Sequence, residues 1–342
     1  MRDLLSSGFL AVSLFFVLSG FVLFLPVARR GGSFGSVRTY ARRRAARILP
    51  AYYVVLIVCV LAYPLMVTAA IGDQVSAGSV LAHLLLVQQE ARLIPGYSGA
   101  LGLGVDPVVW TLSLEALFYL LLPVVAGAFW RWPWRATVLA VAVGVAGRLL
   151  LDGAAGRDQG ILLSSFPLHL GDFAAGMGAA MLYVRWREGP AGRWRPPPWL
   201  ATGAALAGSA VALGALIASG GADAGAVRAG IRGDAALMAL LPFAFAAAIC
   251  GMALAPAAAR RPLELAPLRW VGTVSYGVFL VHYPVLLLGR TSLNIVHDGS
   301  NEAFLLLTAF ALPVSLLLGW LSWIAVERPA RRLAQQRTYA LK

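Results

Sequence analysis

Nine apolar runs constrain this 342-residue chain more than any other feature, at roughly 8–26, 50–70, 108–130, 134–151, 161–184, 199–219, 233–255, 268–290 and 303–326. Each is long enough to cross a hydrocarbon core of about 30 Å as a helix rising about 1.5 Å per residue. Inside lipid every backbone N–H and C=O needs a partner from the protein itself, and a helix supplies one within the same run. The spacing therefore predicts an all-α, polytopic transmembrane bundle of about nine spanning helices, one domain over residues 1–342. The longest segment between runs, near 71–107, is too short for a separate soluble domain. Within it, residues 79–90 read as a short amphipathic helix and the Gly-containing 92–107 as a loop. No internal repeat stands out, which weakens a transporter built on duplicated halves.

Composition agrees, with 60% hydrophobic and only 13% charged residues. The net charge of +13 comes almost wholly from arginine, and Lys342 is the single lysine. Those arginines gather at the ends of apolar runs, so the charge argues for a membrane surface and against nucleic acid. Of the 28 Lys and Arg residues, 21 follow the first, third, fifth, seventh and ninth runs. Positive residues stay cytoplasmic, which predicts an exterior N-terminus and a cytoplasmic C-terminus. The first run lacks a positive leader and a small-residue cleavage site, so it reads as a span and not as a signal peptide. Cys59 and Cys250 fall inside apolar runs and read as small buried side chains. No Cys/His spacing suggests a metal site. His83 and His297 fall in exterior segments and read as solvated.

Polar residues inside the runs are the functional candidates. Glu115 lies in the third run, where a carboxylate at mid-bilayer costs about 2.5–3.5 kcal/mol on insertion scales. Thr111, Glu115 and Tyr119 share one helical face. Two readings stay open: a cavity for substrate, or a hydrogen-bonded staple between helices. Arg42, Arg43, Arg44 and Arg47 stand at the entrance to the second run, with Arg44 and Arg47 one turn apart. Guanidinium forks suit phosphate, yet the same residues also serve as plain anchors to anionic lipid. His282 lies in the eighth run, where imidazole suits a base at neutral pH or a structural hydrogen bond. His169 and Asp172, three apart after Pro167, can share a helical face and are a weaker acid–base candidate.

Five segments in register carry a family resemblance. They are Phe15-Phe-Val-Leu-Ser-Gly-Phe21, the basic run Tyr40–Tyr52, Trp110-Thr-Leu-Ser-Leu-Glu-Ala-Leu-Phe-Tyr119, Ser275-Tyr-Gly-Val-Phe-Leu-Val-His-Tyr-Pro284 and Val326-Glu-Arg-Pro329. In this order the chain resembles the acyltransferase 3 family of integral membrane O-acyltransferases over nearly its whole length. The resemblance implies a ten-helix bundle that moves an acyl group, usually acetyl, from acyl-CoA to a hydroxyl of a carbohydrate, a glycolipid or a glycosylated small molecule. It assigns Arg44 and Arg47 to the acyl donor and carries Glu115 and Tyr119 over as site residues. The family's first helix bears an Arg and, about ten residues later, a catalytic His. That helix has no counterpart here, so the domain reads as N-terminally shortened, with His282 first among the remaining histidines as a base. The rivals are an exporter of a lipid or glycoside, which needs no CoA site, and an inactive bundle acting as a partner subunit. Membrane lipid is a partner on every reading. Beyond acyl-CoA as donor co-substrate, no bound cofactor is expected.

Overall fold

The computed structural model describes residues 10–66, 76–94, 97, 106–151, 162, 164–189, 196–220, 231–292 and 300–339, and among these every regular element is helical. The first four helices are α1 (Leu10–Arg29), α2 (Val37–Met66), α3 (Ala77–Leu84) and α4 (Gln88–Ala91). Next come α5 (Trp110–Arg131), α6 (Pro133–Leu150), α7 (Leu170–Tyr183) and α8 (Pro198–Gly220). The chain closes with α9 (Ile231–Leu254), α10 (Ala266–Ser292), α11 (Asn301–Ser322) and α12 (Arg328–Tyr339). Among the described residues each of the nine apolar runs contains an α-helix, which in the fifth run begins only at Leu170 after a 3-10 turn, Phe166–His169. Six stretches among the described residues are long and apolar enough to cross a membrane: Val12–Arg29, Val37–Leu61, Pro107–Arg131, Pro133–Leu150, Ala266–Thr291 and Asn301–Gln336. The protein is a multi-pass membrane protein.

Two helix boundaries differ from expectation for identifiable reasons. The helix around the second run starts at Val37, because its arginines are good helix formers and carry the helix back through the basic segment. The last run does not stop near 326. A π-helical turn, Trp323–Glu327, joins α11 to α12 and lets the helix continue.

The chain divides into two compact units, residues 1–35 with 120–262 and residues 36–119 with 263–342. In the first unit α1 packs on α7 and α8 on α9. A Cβ at Gly20 would lie 2.3 Å from the Phe173 carbonyl oxygen, and one at Gly176 would lie 2.0 Å from that of Val17. No larger side chain fits either position, so the two helices meet backbone to backbone, as small residues allow in membrane bundles. The second unit packs α10 on α11 and α2, and α12 on α2, around buried Tyr52, Leu56, Val109, Leu112 and Leu280.

The segment between α2 and α5 overturns an expectation. The Tyr52 hydroxyl donates to the His83 carbonyl and Tyr53 to that of Leu84, each at 2.9 Å. The Gln88 amide donates to the Val109 carbonyl at 2.8 Å. Residues 76–91 thus fold back beside the middle of α2. His83 is completely buried, contrary to the solvated reading from sequence. The reason is long-range: the bonds to Tyr52, Tyr53 and Val109 hold the segment there, and Leu86, left-handed at φ 57°, breaks the helix between α3 and α4. The single expected helix over 79–90 is therefore two short ones. His297 and most of 92–107 lie outside the described residues.

Candidate functional site

The second unit contains all five residues that the sequence motifs single out: Arg44, Arg47, Glu115, Tyr119 and His282. Glu115 stands in the second turn of α5 and is 6% exposed. Tyr119, one turn on, donates its hydroxyl to the Glu115 carboxylate. Thr111 does not join them, since its hydroxyl donates to the Val108 carbonyl at 3.1 Å. The guanidinium carbon of Arg44 lies 5.8 Å from the centroid of the Tyr119 ring and 5.9 Å from that of Tyr40. The two phenol rings meet edge to face at 6.4 Å. A cation over aromatic faces contributes about 0.5–2 kcal/mol. Arg44 is thereby held beside the carboxylate pair by rings from its own helix and from α5.

Arg47 extends the same cluster. Its charge reaches Tyr119, Tyr276 and Glu327, and it faces Arg331 as a like charge. Arg44 also lies within electrostatic reach of Arg331. Tyr276 spans α10 to α2, donating to the Ile48 carbonyl at 2.9 Å. Glu327, fully buried, accepts from Arg331 at 3.3 Å and from Ser322 at 3.4 Å. Arg331 in turn sits 4.8 Å above the Trp323 ring. Three arginines, two carboxylates and three tyrosines therefore converge from α2, α5, α10 and the α11–α12 junction. The π-helical turn delivers Glu327 to this place, and such turns are frequent at functional sites.

Motif reading placed Glu327 in a family signature without assigning it a role. The signal was present: it is the one acid after the ninth run, among five basic residues. Arg331 and Tyr276 were missed because neither differs in sequence context from an anchoring arginine or an interfacial tyrosine.

His282 lies six residues beyond Tyr276 on α10, about 9 Å along the axis at helical rise. Its Nδ1–H donates to the Phe279 carbonyl at 2.7 Å. That bond fixes the tautomer and leaves the lone pair on Nε2, the arrangement a base requires. His83 makes the same kind of bond, its Nδ1–H donating to the Ser79 carbonyl at 2.7 Å. Burial holds the His83 imidazole below its ordinary pKa, against a smaller opposing effect of that hydrogen bond.

The other pair marked in the sequence forms in the first unit. His169 Nδ1 lies 2.9 Å from an Asp172 carboxylate oxygen, and the Ser13 hydroxyl donates to the other oxygen. His169 is 8% exposed and Asp172 6%. The imidazole stands edge-on to Phe16, with ring centroids 5.2 Å apart. Both carboxylate oxygens are thus occupied within the unit.

Cys59 and Cys250 are buried free thiols, as their apolar surroundings suggested. Among the described residues no group of three His, Cys, Asp or Glu side chains is placed to hold a metal ion.

Comparison with known proteins bears on the whole chain. It is 24% identical over 342 residues to the peptidoglycan O-acetyltransferase OatA of Listeria monocytogenes, covering 95% of this chain and 51% of that protein. It is 37% identical over 120 residues to the acyltransferase MdmB of Streptomyces mycarofaciens, covering 34% of this chain and 28% of that one. The chain spans about half, or less, of the length of these curated relatives. No solved structure matches it. The acyltransferase 3 family, described as an acyltransferase domain, matches residues 2–324, which takes in α1 through the start of the π-helical turn and with them Arg44, Arg47, Glu115, Tyr119 and His282. On that match the chain belongs to the acyltransferase 3 family.

Proposed function

We propose that this protein transfers an acyl group, acetyl first among the candidates, from acyl-CoA to a hydroxyl of a carbohydrate, glycolipid or glycosylated small molecule. One observation carries the donor half: Arg44, Arg47 and Arg331 gather within electrostatic reach of one another beside Glu115 and Glu327. Guanidiniums so gathered repel, and a phosphate or pyrophosphate relieves that repulsion through charge-assisted bonds. CoA carries both groups. These arginines also fall in the segments that the distribution of basic residues assigns to the cytoplasm, where acyl-CoA is found. The acceptor half is supported by OatA, whose name gives it a peptidoglycan acceptor and an acetyl cargo.

The chemistry asked of the site is simple. The acceptor oxygen forms a bond to the thioester carbon, the carbon–sulfur bond breaks, and the hydroxyl proton passes through a base to the departing thiolate. Glu115, with Tyr119 donating to it, is the carboxylate that orients the acceptor hydroxyl or its base. His282 is the base candidate in this unit, through Nε2. A positioned base contributes about 10²- to 10⁴-fold in rate.

The test is acyl transfer from radiolabelled acetyl-CoA to a glycan acceptor in membranes carrying the full chain, with the Glu115→Gln protein alongside. Transfer that depends on Glu115 supports the reading. Acetyl-CoA binding without transfer moves the chain toward the partner-subunit reading. Neither binding nor transfer sinks the proposal.

A further inference from the structure

The first unit holds a cavity of about 920 Å3 that acyl transfer, as proposed above, does not use. Its size lies within the range of small-molecule sites, about 300–1,000 Å3. Small residues that are buried or half-buried form its floor: Ala175 and Gly178 of α7, Ala204 of α8, Ala247 and Gly251 of α9. A water molecule needs two to four polar partners, and such walls offer few, so hydrocarbon is the content they suit. The rim differs from the floor: Trp134 and Arg185 line the cavity while exposed, and half-buried Trp130 and Trp186 line it with them. Indole rings favour the level where a bilayer's apolar core meets its head groups.

The charge at that rim is positive. Arg185 stands exposed on the π-helical turn Val184–Glu188 that closes α7. Arg131, Arg135 and Arg187 are immediate chain neighbours of the lining tryptophans. The acid of that turn, Glu188, is taken by Arg29 at 2.7 Å, which holds its carboxyl below the usual carboxylate range.

We propose that this cavity binds one anionic phospholipid, an acyl chain lying on the small-residue floor and the phosphate meeting Arg185. A zwitterionic lipid brings its own cation to the same arginines and is the poorer match. The proposal does not rest on acyl transfer.

Gly178 supplies the means to test it. A Cβ there meets nothing within 4 Å, so a large side chain grows into the cavity without displacing a helix. Gly127 on α5 is equally open but does not line the cavity, and Gly127→Phe is the control. The full chain in detergent is offered phosphatidylglycerol and phosphatidylcholine of identical acyl chains in equal amounts, and adducts are counted by native mass spectrometry. A single phosphatidylglycerol adduct should exceed the phosphatidylcholine adduct about tenfold, one charge-assisted contact's worth. Gly178→Phe should remove the adduct, Gly127→Phe should keep it, and Arg185→Gln should bring the two lipids level. Should Gly178→Phe fail to fold, Gly178→Leu decides on the same readout. Equal binding of both lipids to the unaltered protein overturns the proposal. So does an adduct undiminished by the filled cavity, or a preference that survives Arg185→Gln.

Discussion

The two units of this protein treat buried charge in opposite ways. In the first, Asp172 is closed off by its own neighbours, with Ser13 on one oxygen and His169 on the other. In the second, Glu115 and Glu327 sit among three arginines whose charges bear on one another and on Tyr119 and Tyr276. The helix packing does not differ in this sense, since α1 and α7 meet through Gly20 and Gly176 in the first unit and α10 and α11 through Gly277 and Gly319 in the second. A carboxylate with both oxygens satisfied fixes helices in place. A cluster rich in cations is chemically suited to an anion. Intramembrane charge is thus no single signal, and its partners decide whether it is a fastening or a site.

The comparison breaks most visibly at Glu115. Glu115→Gln should lower acyl transfer by about 10²- to 10⁴-fold in rate, the range of a positioned acid–base group, with the protein still folded in the membrane. Loss of monodispersity by size-exclusion chromatography, with turnover retained in what survives, would make Glu115 a fastening too.

Next in size, Arg44→Ala, Arg47→Ala and Arg331→Ala should each weaken acyl-CoA binding by about 10- to 100-fold, at about 1.5–3 kcal/mol per charge-assisted contact. Arg43, exposed on the same helix, should matter little. Uniformly small losses in a calorimetric titration would reduce the cluster to lipid anchoring.

Asp172→Asn should act on stability and not on chemistry, costing about 1.5–3 kcal/mol in buried charge-assisted bonds and leaving turnover of the folded fraction intact. A thermally stable but inactive variant would move the His169–Asp172 pair into the catalytic machinery.

The smallest effect is expected at Asp106, which is 1% exposed ahead of α5. Burial pushes its carboxyl well above the usual carboxylate range, against a smaller opposing effect of the Val108 N–H. A group with a raised folded pKa contributes stability at low pH and loses it as pH climbs through that value. Asp106→Asn should therefore raise Tm more at pH 8 than at pH 5, which a pair of melting curves in detergent would check. An equal rise at both values would mean that the carboxyl does not titrate on unfolding.

Much of this was legible from the chain itself. Nine runs of spanning length fix an all-helical membrane protein, because hydrocarbon leaves backbone groups no other partners. Glu115 announced itself by its cost in that solvent, and Tyr119 by its spacing of one turn. The motif order carried the family, and the family match over residues 2–324 agrees with it. What the sequence could not determine were long-range choices with no local cause. Residues 76–91 read as an exterior segment, yet bonds from Tyr52 and Tyr53 hold them beside α2, a bond from Gln88 ties them to Val109, and His83 is buried. Arg331 has the sequence context of any positive-inside anchor until the π-helical turn brings its partner Glu327 to the arginines of α2. Periodicity and solvent cost are local properties and can be read from a chain. Which polar groups meet is settled only when distant helices pack, and that is where this protein's candidate site is made.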